Sequence, residues 1–265
     1  MADVTALTPG TFSWVELATT DQKAAVKFYG DLLGWSVNEF PMGPGETYSI
    51  FQLRGRDAAA AYTMREDERK SGMPPHWNMY VGVKSADDAA KKAAELGGKV
   101  VAPPFDVMDA GRMAVLQDPT GAYFCVWQGG RNQGIGVKRE PGALCWTELT
   151  TGDTKTAEKF YTQLFGWTPK HSTIPGMDYT ELAVNGAPEG GMMPTPKDMP
   201  NVPPNWLPYF EVRDPDATVK KATAMGAKPI VAPMDIPNVG RFSVVQDPQG
   251  AVFAVFKGAN AQHGG

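Results

Sequence analysis

Histidine and cysteine are scarce in this sequence, with three of the first and two of the second among 265 residues. His76, His171 and His263 are too few and too poorly placed for a Ser-His-Asp or Cys-His nucleophile constellation. Cys125 and Cys145 fall in separate strand-like runs with neither metal nor redox spacing. A disulfide framework is therefore not expected, and a reducing, cytoplasmic setting fits. No apolar run approaches the ~18 residues that a membrane span needs. A basic excess is missing too: 25 Lys and Arg face 29 Asp and Glu, a net charge of −4, which argues against nucleic acid as a partner. The segment Met1-Ala2-Asp3-Val4 has no basic region and no apolar run, so it does not read as a signal peptide. Gly43-Pro44-Gly45 does not open a helix after a strand, which removes a dinucleotide fingerprint.

What the chain does have is a long internal repeat. Ser13-Trp14-Val15-Glu16-Leu17, Phe28-Tyr29 and Leu33-Gly34-Trp35 return as Cys145-Trp146-Thr147-Glu148-Leu149, Phe160-Tyr161 and Phe165-Gly166-Trp167, at an offset of 132. Gly111-Arg112 and Gln117-Asp118-Pro119-Thr120-Gly121-Ala122 return as Gly240-Arg241 and Gln246-Asp247-Pro248-Gln249-Gly250-Ala251, at an offset of 129. Two copies of one fold follow, with domains at 1–132 and 143–265 joined by a linker at 133–142. The length suits two ordinary domains, and 42% hydrophobic with 20% charged residues suits packed cores.

Within each half the pattern reads as strand, helix and three strands, twice over. Phe12 to Leu17 is β-prone; Asp21 caps a helix carrying Ala25, Phe28, Tyr29 and Leu32, and Gly34 stops it. Tyr48 to Leu53 and Ala58 to Tyr62 flank an Arg54-Gly55 turn. A polar linker from Arg65 to Pro75 precedes a strand at Trp77 to Val83. Ser85 then opens a helix that ends at Gly97-Gly98. Strands follow at Lys99 to Ala102, Met113 to Gln117 and Tyr123 to Trp127, the last two joined by the turn Asp118-Pro119-Thr120-Gly121. In the second half Asp214-Pro215 places proline at the first position of the last helix.

These phrases, Asp21…Phe28-Tyr29…Leu33-Gly34-Trp35 with Asp118-Pro119-Thr120-Gly121 and Asp247-Pro248-Gln249-Gly250, resemble the vicinal oxygen chelate superfamily. That group includes glyoxalase I, bleomycin-resistance proteins and extradiol dioxygenases, and the likeness is closest to its duplicated actinobacterial glyoxalase-like type. The resemblance covers nearly the whole chain. It implies an α+β fold: four βαβββ modules forming two cupped, mixed β-sheets, as tandem glyoxalase-like domains around small-molecule pockets.

The resemblance also implies positions for a divalent metal, and here those positions hold poor donors. The first-strand histidine falls on Trp14 and Trp146, and in the second modules on Asn78 and Leu207. The closing-strand glutamate falls on Cys125 and Ala254, and the remaining ligand belongs near Ala60 and Gly191. His76 shares a strand face with Asn78, yet an imidazole, a thiol and an amide make a poor site. The expectation is a pocket with no metal and no other cofactor. His171 and His263 read as surface residues, in a loop and in the tail.

Other residues then become the chemical candidates. In both copies Trp-x-Glu sets Trp14 with Glu16, and Trp146 with Glu148, on one strand face. If that face is concave, each carboxylate sits among aromatic groups, and desolvation raises its pKa toward general acid or base use. The structural alternative pairs Glu16 and Glu148 with Arg112 and Arg241, or with backbone amides. Tyr80 and Tyr209 share the concave face and can donate to a ligand oxygen; packing alone also explains them. Arg112 and Arg241 either reach over the rim to an anionic ligand or neutralise Asp106 and Asp235. Trp127, with the other tryptophans, suits a flat hydrophobic ligand.

Three functions compete on these residues: a metal-free binding protein for an aromatic or polyketide-like molecule, an acid–base enzyme on a carbonyl-bearing substrate, and a divalent-metal lyase, isomerase or dioxygenase with unusual ligands. The donor count disfavours the third. With two paired cups in one chain, a pocket needs no partner subunit, and a monomer is expected.

Overall fold

The computed structural model describes residues 2–3, 6–43, 45–174 and 177–259. Met1, Val4, Pro44 and His263 lie outside them. A short strand, β1 (Ala2–Asp3), precedes the repeat. The first module is β2 (Phe12–Thr19), α1 (Gln22–Leu33), β3 (Ser36–Gly43), β4 (Glu46–Leu53) and β5 (Arg56–Thr63). A five-residue helix, α2 (Glu66–Lys70), leads to the second: β6 (His76–Gly82), α3 (Ala86–Glu95), β7 (Lys99–Val107), β8 (Gly111–Gln117) and β9 (Tyr123–Gly129). After β10 (Val137–Lys138), the third module is β11 (Leu144–Thr151), α4 (Thr154–Phe165), β12 (Thr168–Ile174), β13 (Met177–Val184) and β14 (Ala187–Pro194). The fourth is β15 (Asn205–Glu211), α5 (Pro215–Ala224), β16 (Lys228–Ile236), β17 (Gly240–Gln246) and β18 (Val252–Gly258).

Each half builds one mixed sheet. The first runs β3-β4-β5-β2-β6-β9-β8-β7, and the second repeats that order as β12-β13-β14-β11-β15-β18-β17-β16, with β10 and β1 added beside β11. Antiparallel pairing of β2 with β6, and of β11 with β15, fuses two modules into a cup. The four-module α+β architecture is the one expected.

Local chemistry sets the helix ends. Asp21 accepts from the Ala24 amide at 3.0 Å and Asp153 from the Thr156 amide at 3.0 Å, satisfying amides that an N-terminus leaves free. Gly34 and Gly166 end α1 and α4 with φ of 76° and 73°, where a side chain would be strained. The structure adds elements that sequence pattern understates. The exposed edge strand β3 begins where only a loop at its far end is marked by pattern, because it buries almost nothing and so shows no alternation. Helix α2 forms inside the polar linker, where Glu68 accepts from the Arg65 amide at 2.7 Å. His171, expected in a loop, lies on β12.

The linker is part of the fold as well. Ile135 and Val137 are buried, and the Ile135 and Gly136 amides donate to the carbonyls of Ser13 and Asp57 at 2.6 and 2.7 Å. The halves meet back to back through their convex faces, in a reciprocal clamp. The Tyr29 hydroxyl donates to Asp247 at 2.9 Å, and the Tyr161 hydroxyl to Asp118 at 2.8 Å. The Trp35 indole donates to the Gly142 carbonyl at 2.6 Å, and the Trp167 indole to the Gly10 carbonyl at 2.7 Å. Gly10 and Gly142 hold φ of 89° and 93°, and at each of them atoms of the other half lie close to where a Cβ would stand. Trp77 and Phe210 pack edge to face across the seam, 5.3 Å between centroids.

Asp118 and Asp247 each do two jobs, since their other oxygen accepts three amides of their own β-turn. Docking of the halves therefore also fixes the turn of each final hairpin. Tyr29→Phe is expected to lower the unfolding free energy by about 1–3 kcal/mol, because it leaves a buried carboxylate oxygen and the Trp77 indole short of a partner. Urea unfolding of Tyr29→Phe, Asp247→Asn and the double variant checks this, and non-additivity of the two changes is the expected signature.

Candidate functional site

In the first cup, strand alternation puts Trp14 and Glu16 on the concave face, with Ala60 of β5 and Asn78 of β6 directly opposite Glu16. Glu16 is 9% exposed and is held by phenols. The Tyr48 hydroxyl donates to Glu16 Oε1 at 2.7 Å and the Tyr80 hydroxyl to Oε2 at 2.7 Å. The Trp14 indole donates to the Tyr48 oxygen at 3.1 Å. The second cup repeats the network. Tyr179 and Tyr209 donate to the two oxygens of Glu148 at 3.0 and 2.6 Å, and the Trp146 indole donates to Tyr179 at 2.9 Å.

Electrostatics follow from this placement. Burial pushes the carboxyls of Glu16 and Glu148 above the usual glutamate range, and the tyrosine hydrogen bonds offset that only in part. The same burial, with the carboxylate alongside, drives Tyr48, Tyr80, Tyr179 and Tyr209 upward, so each remains a hydroxyl donor at neutral pH. Cys125 also lines the first cup, and burial followed by the charge of Glu16 raises its thiol pKa, so it is no thiolate nucleophile. Both concave faces are recessed, the first lined by Trp14, Glu16, Tyr80 and Cys125 and the second by Trp146, Glu148 and Tyr209.

Most candidates from the sequence converge on these walls. Trp14, Asn78, Tyr80, Cys125 and Trp127 line the first cup, and Trp146, Leu207 and Tyr209 the second. Trp127 is pinned by its indole to the Asn132 carbonyl at 3.0 Å. Ala254 is fully buried, and its neighbours Val252 and Phe256 form the wall there. Arg112 and Arg241 require correction, since neither lines the recess. Arg112 grips Asp87 at 2.7 and 3.0 Å and Asp106 at 3.0 Å, while Arg241 grips Asp216 at 2.6 and 2.8 Å and Asp235 at 3.1 Å. Each arginine ties the first turn of a helix to a hairpin, away from Glu16 and Glu148. Sequence reasoning misses Tyr48 and Tyr179 as partners of the glutamates; their recurrence at an offset of 131 is the available signal.

The residues at the family's metal positions do not fit a divalent ion. Trp14, Ala60, Asn78 and Cys125 in one cup, and Trp146, Gly191, Leu207 and Ala254 in the other, offer one thiol and one amide. Nothing among the described residues gathers three or more His, Cys, Asp or Glu side chains around a point. His76 lines the recess, but its Nδ1 lies 2.8 Å from the Pro74 carbonyl. His171 is an outward residue beside Glu158.

Tandem βαβββ cups with a chemical group on each floor define a glyoxalase-like architecture. The chain belongs to the Glyoxalase/Bleomycin resistance protein/Dioxygenase superfamily, whose profile matches residues 11–126 and 143–255. It is 45% identical over 255 residues to CFP32 of Mycobacterium tuberculosis, a putative glyoxylase by name, across 96% of this chain and 97% of that one. It is 34% identical to the anthracycline biosynthesis protein DauV of Streptomyces sp. strain C5, across 95% and 94%. Among solved structures, the Mn(II)-bound glyoxalase from Novosphingobium aromaticivorans shares the fold at a TM-score of 0.65 and 16% identity, over 94% of this chain and 82% of that one. The 2,3-dioxygenase LapB from Pseudomonas sp. KL28 does so at 0.62 and 12%, over 94% and 93%.

The raised Glu16 carboxyl has a consequence for stability. Between the ordinary glutamate pKa and the higher folded value, the folded state binds more protons than the unfolded state, so stability falls as pH rises across that window. Glu16→Gln removes the titrating group. Denaturant unfolding across that pH range is expected to show a decline in the native protein that is smaller in the variant.

Proposed function

We propose that the first cup holds an aromatic or carbonyl-bearing small molecule and exchanges a proton with it through Glu16 and Tyr80, without a metal ion. The observation that carries this reading is the buried Glu16 carboxyl, clamped by two phenols rather than by a cation, on the floor of the recessed first cup. A carboxyl raised by desolvation keeps its proton closer to neutral pH, where a general acid is useful. When Glu16 is protonated it donates to one phenol oxygen. A protonated Glu16 that donates to Tyr80 frees the Tyr80 hydroxyl to donate to a ligand carbonyl. Proton transfer along Glu16, Tyr80 and the ligand oxygen then stabilises charge developing on that oxygen. In the reverse direction, the carboxylate receives the proton.

Trp14 fixes Tyr48, and Tyr48 fixes Glu16, so these two residues orient the acid. Asn78 stands directly across from Glu16, and its amide suits a second ligand oxygen. Apolar and aromatic side chains at the mouth, including Phe40 at 47% exposed and Phe105 at 43%, suit a flat hydrophobic body. The relation to an anthracycline biosynthesis protein agrees with a polycyclic ligand of that kind. Simple sequestration of such a molecule uses the same contacts, and Glu16 separates sequestration from catalysis.

Fluorenone, a flat ketone with no titratable group, tests the reading. Its affinity, followed by tryptophan fluorescence, is expected to fall as pH rises through the Glu16 titration. Tyr80→Phe should weaken binding by about tenfold, the loss of one buried hydrogen bond, and Glu16→Gln should flatten the pH dependence. Equal binding by native protein and Tyr80→Phe, with no pH dependence, contradicts it. So does a stoichiometric divalent metal in protein purified without chelator.

A further inference from the structure

We infer that the second cup is a separate site for an organic cation, a protonated amine on an aromatic or otherwise apolar body. The internal repeat supplies the control for this inference. Lining residues of the first cup carry both signs of charge, with Arg65, Arg69 and Arg131 alongside the acidic Glu16, Glu46, Asp57, Glu66, Asp67, Glu68 and Asp109. In the second cup the charged lining residues, among those described, are Glu148, Glu181 and Asp198, all acidic. Glu181 stands where the first cup has Ile50, and both residues line their recess.

One rung of the sheet makes the arrangement specific. Glu148 on β11 pairs with Gly191 on β14, and Gly191 pairs with Glu181 on β13. The corresponding rung of the first cup reads Glu16, Ala60, Ile50. Two carboxylate-bearing positions therefore flank a glycine, two strand spacings or roughly 10 Å apart at the backbone. Any Cβ at Gly191 would collide with the Tyr179 hydroxyl, so the missing side chain is what lets that phenol lie across the rung. Both carboxylates act electrostatically on Tyr179.

Around this rung, Trp146, Tyr209, Phe242 and Phe256 add aromatic surface, and cations are attracted to aromatic faces. Glu148 and Trp146 are only half-buried, whereas Glu16 and Trp14 are buried, so the second carboxyl is the more accessible of the two. Its oxygens each accept one phenol and retain lone pairs for an ammonium group. Lys170 stands 3.9 Å from Glu181 on a largely exposed side chain that a ligand can displace. Leu207 and Ala254 replace Asn78 and Cys125, which removes the polar groups that suit a ligand oxygen in the first cup.

Proflavine, cationic at neutral pH, and acridine, its largely neutral relative, are the probes. Calorimetric titration is expected to give proflavine at least about tenfold tighter binding than acridine. Glu148→Gln and Glu181→Ile should each weaken proflavine about tenfold; isoleucine already occupies the matched position of the first cup, so the fold should accept it. Gly191→Ala should weaken it too, by displacing Tyr179. Acridine binding as tightly as proflavine overturns the inference, as does unchanged affinity in both glutamate variants with native melting temperatures. Failure here leaves the Glu16 reading intact, because the two cups are probed by different ligands and different substitutions.

Discussion

A carboxyl group carried into an apolar sheet and held by phenols is the constraint on which both cups depend. Burying a carboxylate is costly unless hydrogen bonds or a counter-ion compensate. This chain answers the problem twice with the same set of side chains: a glutamate, two tyrosines and a tryptophan. One phenol comes from two strands away on one side and the other from the adjacent strand on the opposite side. The carboxyl can therefore be satisfied only when both modules of a half are assembled. Fold and site are in this sense one event. A cation at the same place would have held the carboxylate permanently ionised; phenols leave its proton available.

The clamp between the halves has a similar logic. Tyr29 and Tyr161 reach out from their own halves and satisfy Asp247 and Asp118, residues whose other oxygens organise the closing turns of the opposite half. Those turns adjoin the rims, where Gly121 abuts Pro204 and Gly250 abuts Pro75. The shape of each cup mouth thus depends on the other half, although each sheet pairs its strands internally. The duplicated domain arrangement is therefore more than two independent beads on a linker, and the linker itself adds strand β10 and buried Ile135 and Val137.

Much of this is legible in the residues. The repeat identifies the duplication, the caps at Asp21, Gly34, Ser85 and Asp214 mark helix ends, and period-two alternation places Glu16 with Trp14 and Tyr80 on one face. Tyr48 and Tyr179 escape that reasoning, because they enter from β4 and β13, beyond loops whose lengths differ between the copies; alternation assigns a face but not which strand lies two places away. For Arg112 and Arg241, the neutralising alternative is the one the fold adopts. Their helix partners Asp87 and Asp216 lie 25 residues earlier, and nothing in local pattern shows that a hairpin will fold back on that helix. Docking of the halves is equally hidden, since Tyr29 reads as an ordinary buried helix residue until the opposite turn is seen.

The repeat also exposes how the copies diverged around a shared floor. Asn78 against Leu207, Cys125 against Ala254 and Ile50 against Glu181 change the polarity of the walls while the Glu–Tyr–Tyr–Trp network stays constant. The most direct test of the central claim is the protonation state of Glu16 itself, followed by the carboxylic acid C=O stretch in infrared difference spectra of native protein against Glu16→Gln. The account predicts a Glu16 band that persists above the ordinary glutamate range and disappears in the variant. A Glu16 carboxyl that is already fully ionised within the ordinary range would contradict it.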